Sequence, residues 1–287
     1  MGRSVTVHTE VVAPERLSPQ ALEYLIDELY AVHAQVYAGV SRDAFAADVV
    51  LSPSRTRIAI TRVPSGAAVG YTASHLYYAR PETGGVAVMR SERGYLPAYR
   101  HLGLGRKLLF REALRFRALN PLTPLVGLCC PVHPAAYVAL GRSVAQIWPH
   151  PKRAMPTRVQ HLMGTLSSFF TLPTIDGRPG VRHIGWITRS SAEEAARWAR
   201  SPDTFARYFQ GANPVYAQGS GLLTVVPLSL GNLLLSGARL LARLARIRRA
   251  PGADLGTGLE TQTGGLHEAR PSPCAPVHTH HGARLLR

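Results

Sequence analysis

The stretch YLPAYRHLGLGRKLLFREALRF, Tyr95 to Phe116, decides the reading of this chain. A β-rich run, GVAVMRSERGYL, stops at Pro97, which supplies no N–H to a sheet. Arg100, Gly103 and Gly105 follow in the spacing Arg-x-x-Gly-x-Gly. Beyond them Leu104, Leu108, Leu109, Ala113 and Phe116 keep helical spacing, so a helix is predicted from Gly103 to about Leu119. Glycines between a strand and a helix let backbone amides approach an anion with no Cβ in the way. The first turn of the helix offers unbonded amides and the positive end of its dipole. Arg100, Arg106 and Lys107 add charge.

Two better-known phosphate loops do not fit. A Walker loop needs Ser or Thr after Gly-Lys, and the sequence here is Gly105-Arg106-Lys107-Leu108. A dinucleotide fingerprint needs a third small residue where Leu108 stands, and an initial strand near the start of a βαβ unit. The plainest rival is that Gly103 and Gly105 only shape a turn.

Working outward, Ser18 with Pro19 is a helix start, and Leu22, Leu25, Ile26, Leu29, Val32 and Val36 carry the helix toward Gly39. Ser41 caps a shorter one that runs to about Leu51. Ile58 and Ile60, the turn Pro64-Ser65-Gly66 and a run to Tyr78 make a hairpin, and the strand before Pro97 is the third. PLVGLCC reads as a buried strand and HPAAYVALGRSV as a short helix. The order helix, helix, three strands, helix, strand, helix implies an α/β (α+β) domain with a mixed, mainly antiparallel sheet flanked by helices, covering residues 1–150.

Residues 151–249 read as a mostly helical apolar extension. Helices are expected over 156–171, after Ser190 or Ser191, and from Ser201 to Gln210. The 28 residues from Gly211 to Ala238 contain no Asp, Glu, Lys or Arg, and the run continues into leucines set against Arg239, Arg243, Arg246 and Arg249. Three readings stand: packed core, an interfacial anchor through 221–249, or a membrane span, which Pro227, Asn232 and several glycines oppose. Residues 250–287, rich in Pro, Gly, Thr and His, read as a disordered tail.

The chain has 287 residues, 46% of them apolar, and a formal charge of +16. Of its 33 basic residues only Lys107 and Lys152 are lysines, so a GC-rich coding bias toward Arg explains much of the excess. The arginines are scattered and no nucleic-acid motif is present, so no specific nucleic acid is expected. Cys129, Cys130 and Cys274 show neither CxxC spacing nor a disulfide framework, and no metal is expected. His278 to His281 carry no weight as a metal site. The N-terminus lacks a secretory h-region and fits only the loose myristoylation pattern at Gly2, so the expected location is the cytoplasm, with membrane association the alternative.

With LPAYRHLGLGRKLL in view, the chain resembles the GNAT superfamily of acyl-CoA-dependent N-acyltransferases. The match takes in Pro97, Tyr99-Arg100, both glycines and the aliphatic helix, and the element order from about 17 to 145 is similar to that fold. The resemblance implies an enzyme that moves an acetyl group from acetyl-CoA, or another acyl-CoA, to an amine acceptor. Amides of His101, Leu102, Gly103, Leu104, Gly105 and Arg106 would hold the pyrophosphate beside Arg100. Backbone at Tyr95 and Leu96 would meet the pantetheine arm where the central strands splay.

The chemistry needs two proton movements: an alkylammonium of pKa ~10 must lose one and a thiolate of pKa ~8.5 must gain one. Glu92 is the candidate base, with Glu82, a water chain, or an Arg-paired structural role as rivals. Tyr137 is the candidate acid. Many members of the family open this helix with Asn and place a Tyr two turns on. Here His133 and Leu140 hold those positions, so Tyr137 comes one turn early. His75 and His133 are further candidates. Two alternatives accompany the acetyltransferase reading: long-chain N-acylation at a membrane, and a catalytically silent acyl-CoA-binding module.

Overall fold

The first helix starts where its cap predicts, because the Ser18 hydroxyl accepts the Ala21 amide and Pro19 fits the first turn. In the computed structural model, which describes residues 6–249 other than 53, 80–84 and 176, the chain begins with β1 (His8–Val12) and α1 (Pro19–Val36). Next come β2 (Tyr37–Ala38) and α2 (Arg42–Phe45), which Ser41 caps and which widens over Ala46–Val50. Strands β3 (Arg55–Arg62), β4 (Ala68–Ala79) and β5 (Val86–Tyr95) are followed by α3 (Arg106–Leu119), β6 (Leu125–Cys129) and α4 (Pro134–Ser143). Gly2, Glu82, Cys274, His278–His281 and the tail expected at 250–287 lie outside the described residues.

The remainder comprises α5 (Thr157–Phe169), β7 (Thr174–Ile175), β8 (Arg178–His183), β9 (Ile187–Thr188), α6 (Ala192–Ala199) and α7 (Thr204–Ala212), then β10 (Ser220–Leu222), β11 (Thr224–Pro227) and α8 (Leu230–Arg249). The extension is thus less purely helical than its periodicity suggests. β11 joins the main sheet, whose order is β1-β3-β4-β5-β6-β11. All its pairings are antiparallel except β5 with β6, the mixed, mainly antiparallel sheet that the element order implies. Residues on both sides of the boundary expected at 150 therefore pack together, in one compact unit that ends at Ile247.

Strand alternation sorts the two faces. Ile58, Ile60, Tyr71 and Ala73 pack under Leu25, Ile26 and Leu29 of α1 and Phe45 and Val49 beyond it. On the same face Val88, Val126 and Leu128 meet Val159, Met163 and Leu166 of α5. The opposite face sets Ala87, Met89 and Leu125 against Ala113 and Phe116 of α3. Each buried Leu, Ile or Phe contributes roughly 1.5–3 kcal/mol, so these faces hold α1 and α3 firmly on opposite sides of β5.

Candidate active site

The register of β5 creates the opening. It pairs with β4 along its whole length, from Ala79↔Val86 to Gly70↔Tyr95. With β6 it pairs only from Ala87↔Leu125 to Arg90↔Leu128. Ala87 donates its amide to Pro124 on the β6 side, while Leu96 donates to Val69 on the β4 side. Alternation therefore turns the backbone of Arg93 and Tyr95 toward the place where β6 has already ended. Of the two backbone positions expected to meet pantetheine, Tyr95 faces this gap. The Leu96 amide is already committed to Val69, whereas the backbone of Arg93, which sequence reasoning did not single out, also faces the gap.

Two side chains reach into the gap edge. Tyr37 donates its hydroxyl to the Arg93 carbonyl at 2.9 Å, and Arg100 Nε donates to the Tyr95 carbonyl at 3.2 Å. The Arg100 guanidinium also stands 3.6 Å from Glu194 of α6. The Arg100 side chain is thus held between the gap and α6, and its Nη2 is buried with no hydrogen-bond partner among the described residues.

That loop is a 3-10 turn, Pro97–Leu102, followed by Gly103 at φ 62° and Gly105 at φ 81°. Both lie in the left-handed region, where a side chain costs about 1–2 kcal/mol. A Cβ on Gly105 would stand 2.0 Å from Thr72 Oγ1, which itself hydrogen-bonds Tyr95 Oη at 2.9 Å beneath the loop. The first intrahelical bond of α3 runs from Leu109 to Gly105, so the first-turn amides face out of the N-terminus, and the N-cap residue, Gly105, has no side chain to cap them. Arg106 Nε donates to the Gly103 carbonyl at 3.0 Å, which keeps its guanidinium beside the same loop. His101, Leu102, Gly103, Leu104, Gly105 and Arg106 run from the end of the 3-10 turn through the two glycines to the first residue of α3.

Glu92 lies on the other face of β5, next to the unpaired segment. Its Oε2 is 2.9 Å from His75 Nε2, off the line of a good hydrogen bond, and its Oε1 is 3.3 Å from Arg90. His75 in turn shares a 2.8 Å hydrogen bond with Thr56. Burial opposes the charge of Glu92, but His75 and Arg90 outweigh it and hold the carboxyl below its ordinary range. Burial and the nearby Glu92 raise the carboxyl of Asp48 despite Arg90 and His75. The arrangement keeps a carboxylate ionised at neutral pH on the face that α1 covers.

Tyr137 is fully buried on α4 and donates its hydroxyl to the Pro149 carbonyl at 2.7 Å. Phe205, Tyr208 and Phe209 surround its ring, and burial pushes its hydroxyl pKa well up. This is packing chemistry: the proton expected for the leaving group is already donated. Tyr137→Phe is expected to lower stability by about 1–3 kcal/mol, as for a buried carbonyl losing its donor. The turnover number should stay within about twofold, whereas losing a general acid would reduce it by about 10²-fold or more. Thermal melts and single-turnover rates distinguish the two.

His133 caps α4 by accepting the Ala135 amide at Nδ1, leaving Nε2 to face Ser190 at 3.3 Å. Burial, helped by Arg100 and Arg197, pushes it down to about 4, so it is a neutral structural ring. Burial pushes the Cys129 and Cys130 thiols up to about 11 and about 12, so neither supplies a thiolate at neutral pH. Among the described residues no group of His, Cys, Asp and Glu is placed to hold a metal ion. An open depression of about 650 Å³, lined by Ser52, Leu76, Tyr77 and Phe169, lies at the far end of β4 from the glycine loop.

No protein-family model matches the sequence, and no curated protein matches it. Among solved structures the chain is similar to an acyl-CoA N-acyltransferase from Pseudomonas aeruginosa, with 17% identity, 48% of this chain and 86% of that one covered, and a TM-score of 0.32. A ribosomal-protein-S18-alanine N-acetyltransferase from Escherichia coli shares 10% identity over 78% of this chain and 96% of its own, with a TM-score of 0.33. An acetyltransferase from Trypanosoma brucei shares 18% over 53% and 98%, with a TM-score of 0.31. Likeness at this level carries no argument about activity, which has to come from the site.

Proposed function

We propose that this chain is an acyl-CoA-dependent N-acyltransferase that moves an acetyl group from acetyl-CoA to a primary amine by direct attack. One observation carries the reading. The two left-handed glycines and the uncapped start of α3 sit at the end of the gap that β5 leaves when β6 stops pairing. A phosphate cradle and a strand edge with free amides, in line, fit a ligand with a pyrophosphate at one end and an amide-bearing arm at the other. The Cβ that Gly105 lacks would stand 2.0 Å from Thr72 Oγ1, so glycine at this position lets the loop lie down against β4.

In this reading amides from His101 to Arg106 hold the pyrophosphate, and the Arg93 and Tyr95 amides hold the arm. Acetyl-CoA supplies an activated thioester. The acceptor nitrogen forms the new C–N bond, the C–S bond breaks, and the nitrogen loses its proton. The Arg93 or Tyr95 amide is the donor for the negative charge that grows on the carbonyl oxygen. Glu92, ionised and nearly buried, steadies the positive nitrogen and accepts its proton. That transfer becomes favourable only once attack has made the nitrogen acidic, because an alkylammonium at pKa ~10 would not protonate a carboxylate. A thiolate of pKa ~8.5 leaves with little help, so the engagement of Tyr137 with Pro149 is no obstacle.

The first test is calorimetric titration of the full chain with acetyl-CoA, followed by thiol release on adding primary amines. Saturable binding and amine-dependent thiol release are expected. A chain that shows no saturable binding of acetyl-CoA or of a long-chain acyl-CoA would overturn the reading.

A further inference from the structure

Helix α8 docks through Leu233, which is buried with Ala87, Met89 and Phe116, and through a polar edge beside it. Asn232 Oδ1 accepts the Gln146 amide at 2.8 Å, and its Nδ2 donates to the Gln146 and Pro227 carbonyls. Ser236 Oγ accepts the Ala145 amide at 3.0 Å, and Arg239 donates to the Val144 carbonyl at 3.1 Å. At about 100° per residue these three positions lie within about 60° of one another. Leu230, Leu234 and Leu241 lie within about 40° of one another on the opposite side. They are 49%, 70% and 68% exposed. A surface helix ordinarily turns its leucines to the core and its polar residues to water. A single exposed leucine needs no explanation, but an aligned set on a helix held by its polar edge marks a surface made for a partner.

The charges around the stripe select the partner. Residues 204–253 contain six arginines and no Asp or Glu, and five of those arginines fall between 239 and 249. A second copy meeting this helix would set arginine against arginine with no acid from the segment to pair them. An anionic lipid surface complements both halves of the pattern: leucines enter the acyl boundary while guanidiniums meet phosphates. Among the described residues no helix is long and apolar enough to cross a membrane, so the contact lies in the plane of the surface. We propose that α8 is an interfacial helix that seats this chain on an anionic membrane. The proposal stands apart from the acyltransferase reading and fails or holds without it.

The test is co-sedimentation of the full chain with vesicles of phosphatidylcholine, alone or with about one third phosphatidylglycerol. Binding to the anionic vesicles only, weakened by salt, is expected. The double variant Leu234→Glu, Leu241→Glu should partition at least about tenfold less, with an unchanged circular-dichroism melt because both positions are exposed. Wild-type chain that ignores anionic vesicles overturns the proposal, and so does a variant that binds them as well as wild type. A wild-type dimer in light scattering that the same variant dissolves would assign the stripe to a second copy instead.

Discussion

Replacing Gly103 and Gly105 together by valine is expected to reduce acetyl-CoA affinity by about 10²- to 10⁴-fold while leaving the sheet folded. Both positions hold left-handed backbone, which a β-branched residue occupies poorly. The two steric problems differ. At Gly103 the new Cβ would meet the end of the Arg106 side chain at 1.8 Å, and that end can swing away. At Gly105 it would meet Thr72 Oγ1 at 2.0 Å and Thr72 Cβ at 2.7 Å, in a strand that cannot. The loop must therefore lift off β4, and the amides of its cradle lose their common aim. Two lost charge-assisted hydrogen bonds at about 1.5–3 kcal/mol each give the stated range. Gly103→Ala, whose nearest contact is the movable end of Arg106, should lose about tenfold or less and guards against misfolding as the explanation. Calorimetry beside a thermal melt reads both quantities. A folded double valine variant that binds acetyl-CoA within about threefold of wild type would remove the glycine loop from the site.

That loop was legible because its determinants are contiguous: a proline, an arginine and two glycines within nine residues fix their own backbone. The helices α1 and α3 and the hairpin β3–β4 were legible for the same reason, since cap, period and turn are local signals. What the sequence hid is set by register and by distant chain. Glu92 meets His75 only because β4 and β5 pair with Ala73 opposite Glu92 and His75 opposite Arg90. Tyr137 reads as a catalytic tyrosine until α7, about seventy residues on, closes Phe205, Tyr208 and Phe209 around it. Glu194 was visible only as a favourable first-turn acid of α6, and nothing local announces its contact with Arg100. The uncharged run 211–238 is the sharpest case. Its middle forms the buried strands β10 and β11, and its last part is the leucine-exposing start of α8. Both are apolar and uncharged; pairing of β10 with β8 and of β11 with β6 separates core from surface.

Glu92→Gln is expected to lower the turnover number by about 10²- to 10³-fold and to leave acetyl-CoA affinity unchanged, since the carboxylate lies on the face of β5 opposite Thr72 and the glycine loop. The amide keeps the shape and can still meet His75, but it can neither hold a positive nitrogen nor take its proton. The rival is a structural ion pair with Arg90, which predicts lost stability and unchanged turnover. Arg90 softens the structural loss in either case, because its guanidinium also stacks 4.8 Å over Phe170. The pH dependence adds a second reading. The folded-state pKa of Glu92 lies below its ordinary value, so its stabilising contribution is complete above the unfolded pKa of about 4.3 and is lost as pH falls through the lower folded value. Near neutrality Glu92 is therefore always ionised, and the rate should rise with pH along the titration of the acceptor amine alone. A wild-type limb near pH 6 to 7 that vanishes in the glutamine variant would mean that burial, not His75 and Arg90, sets the pKa of Glu92. Unchanged turnover with a lowered melting temperature would leave Glu92 as a sheet residue and the proton to solvent.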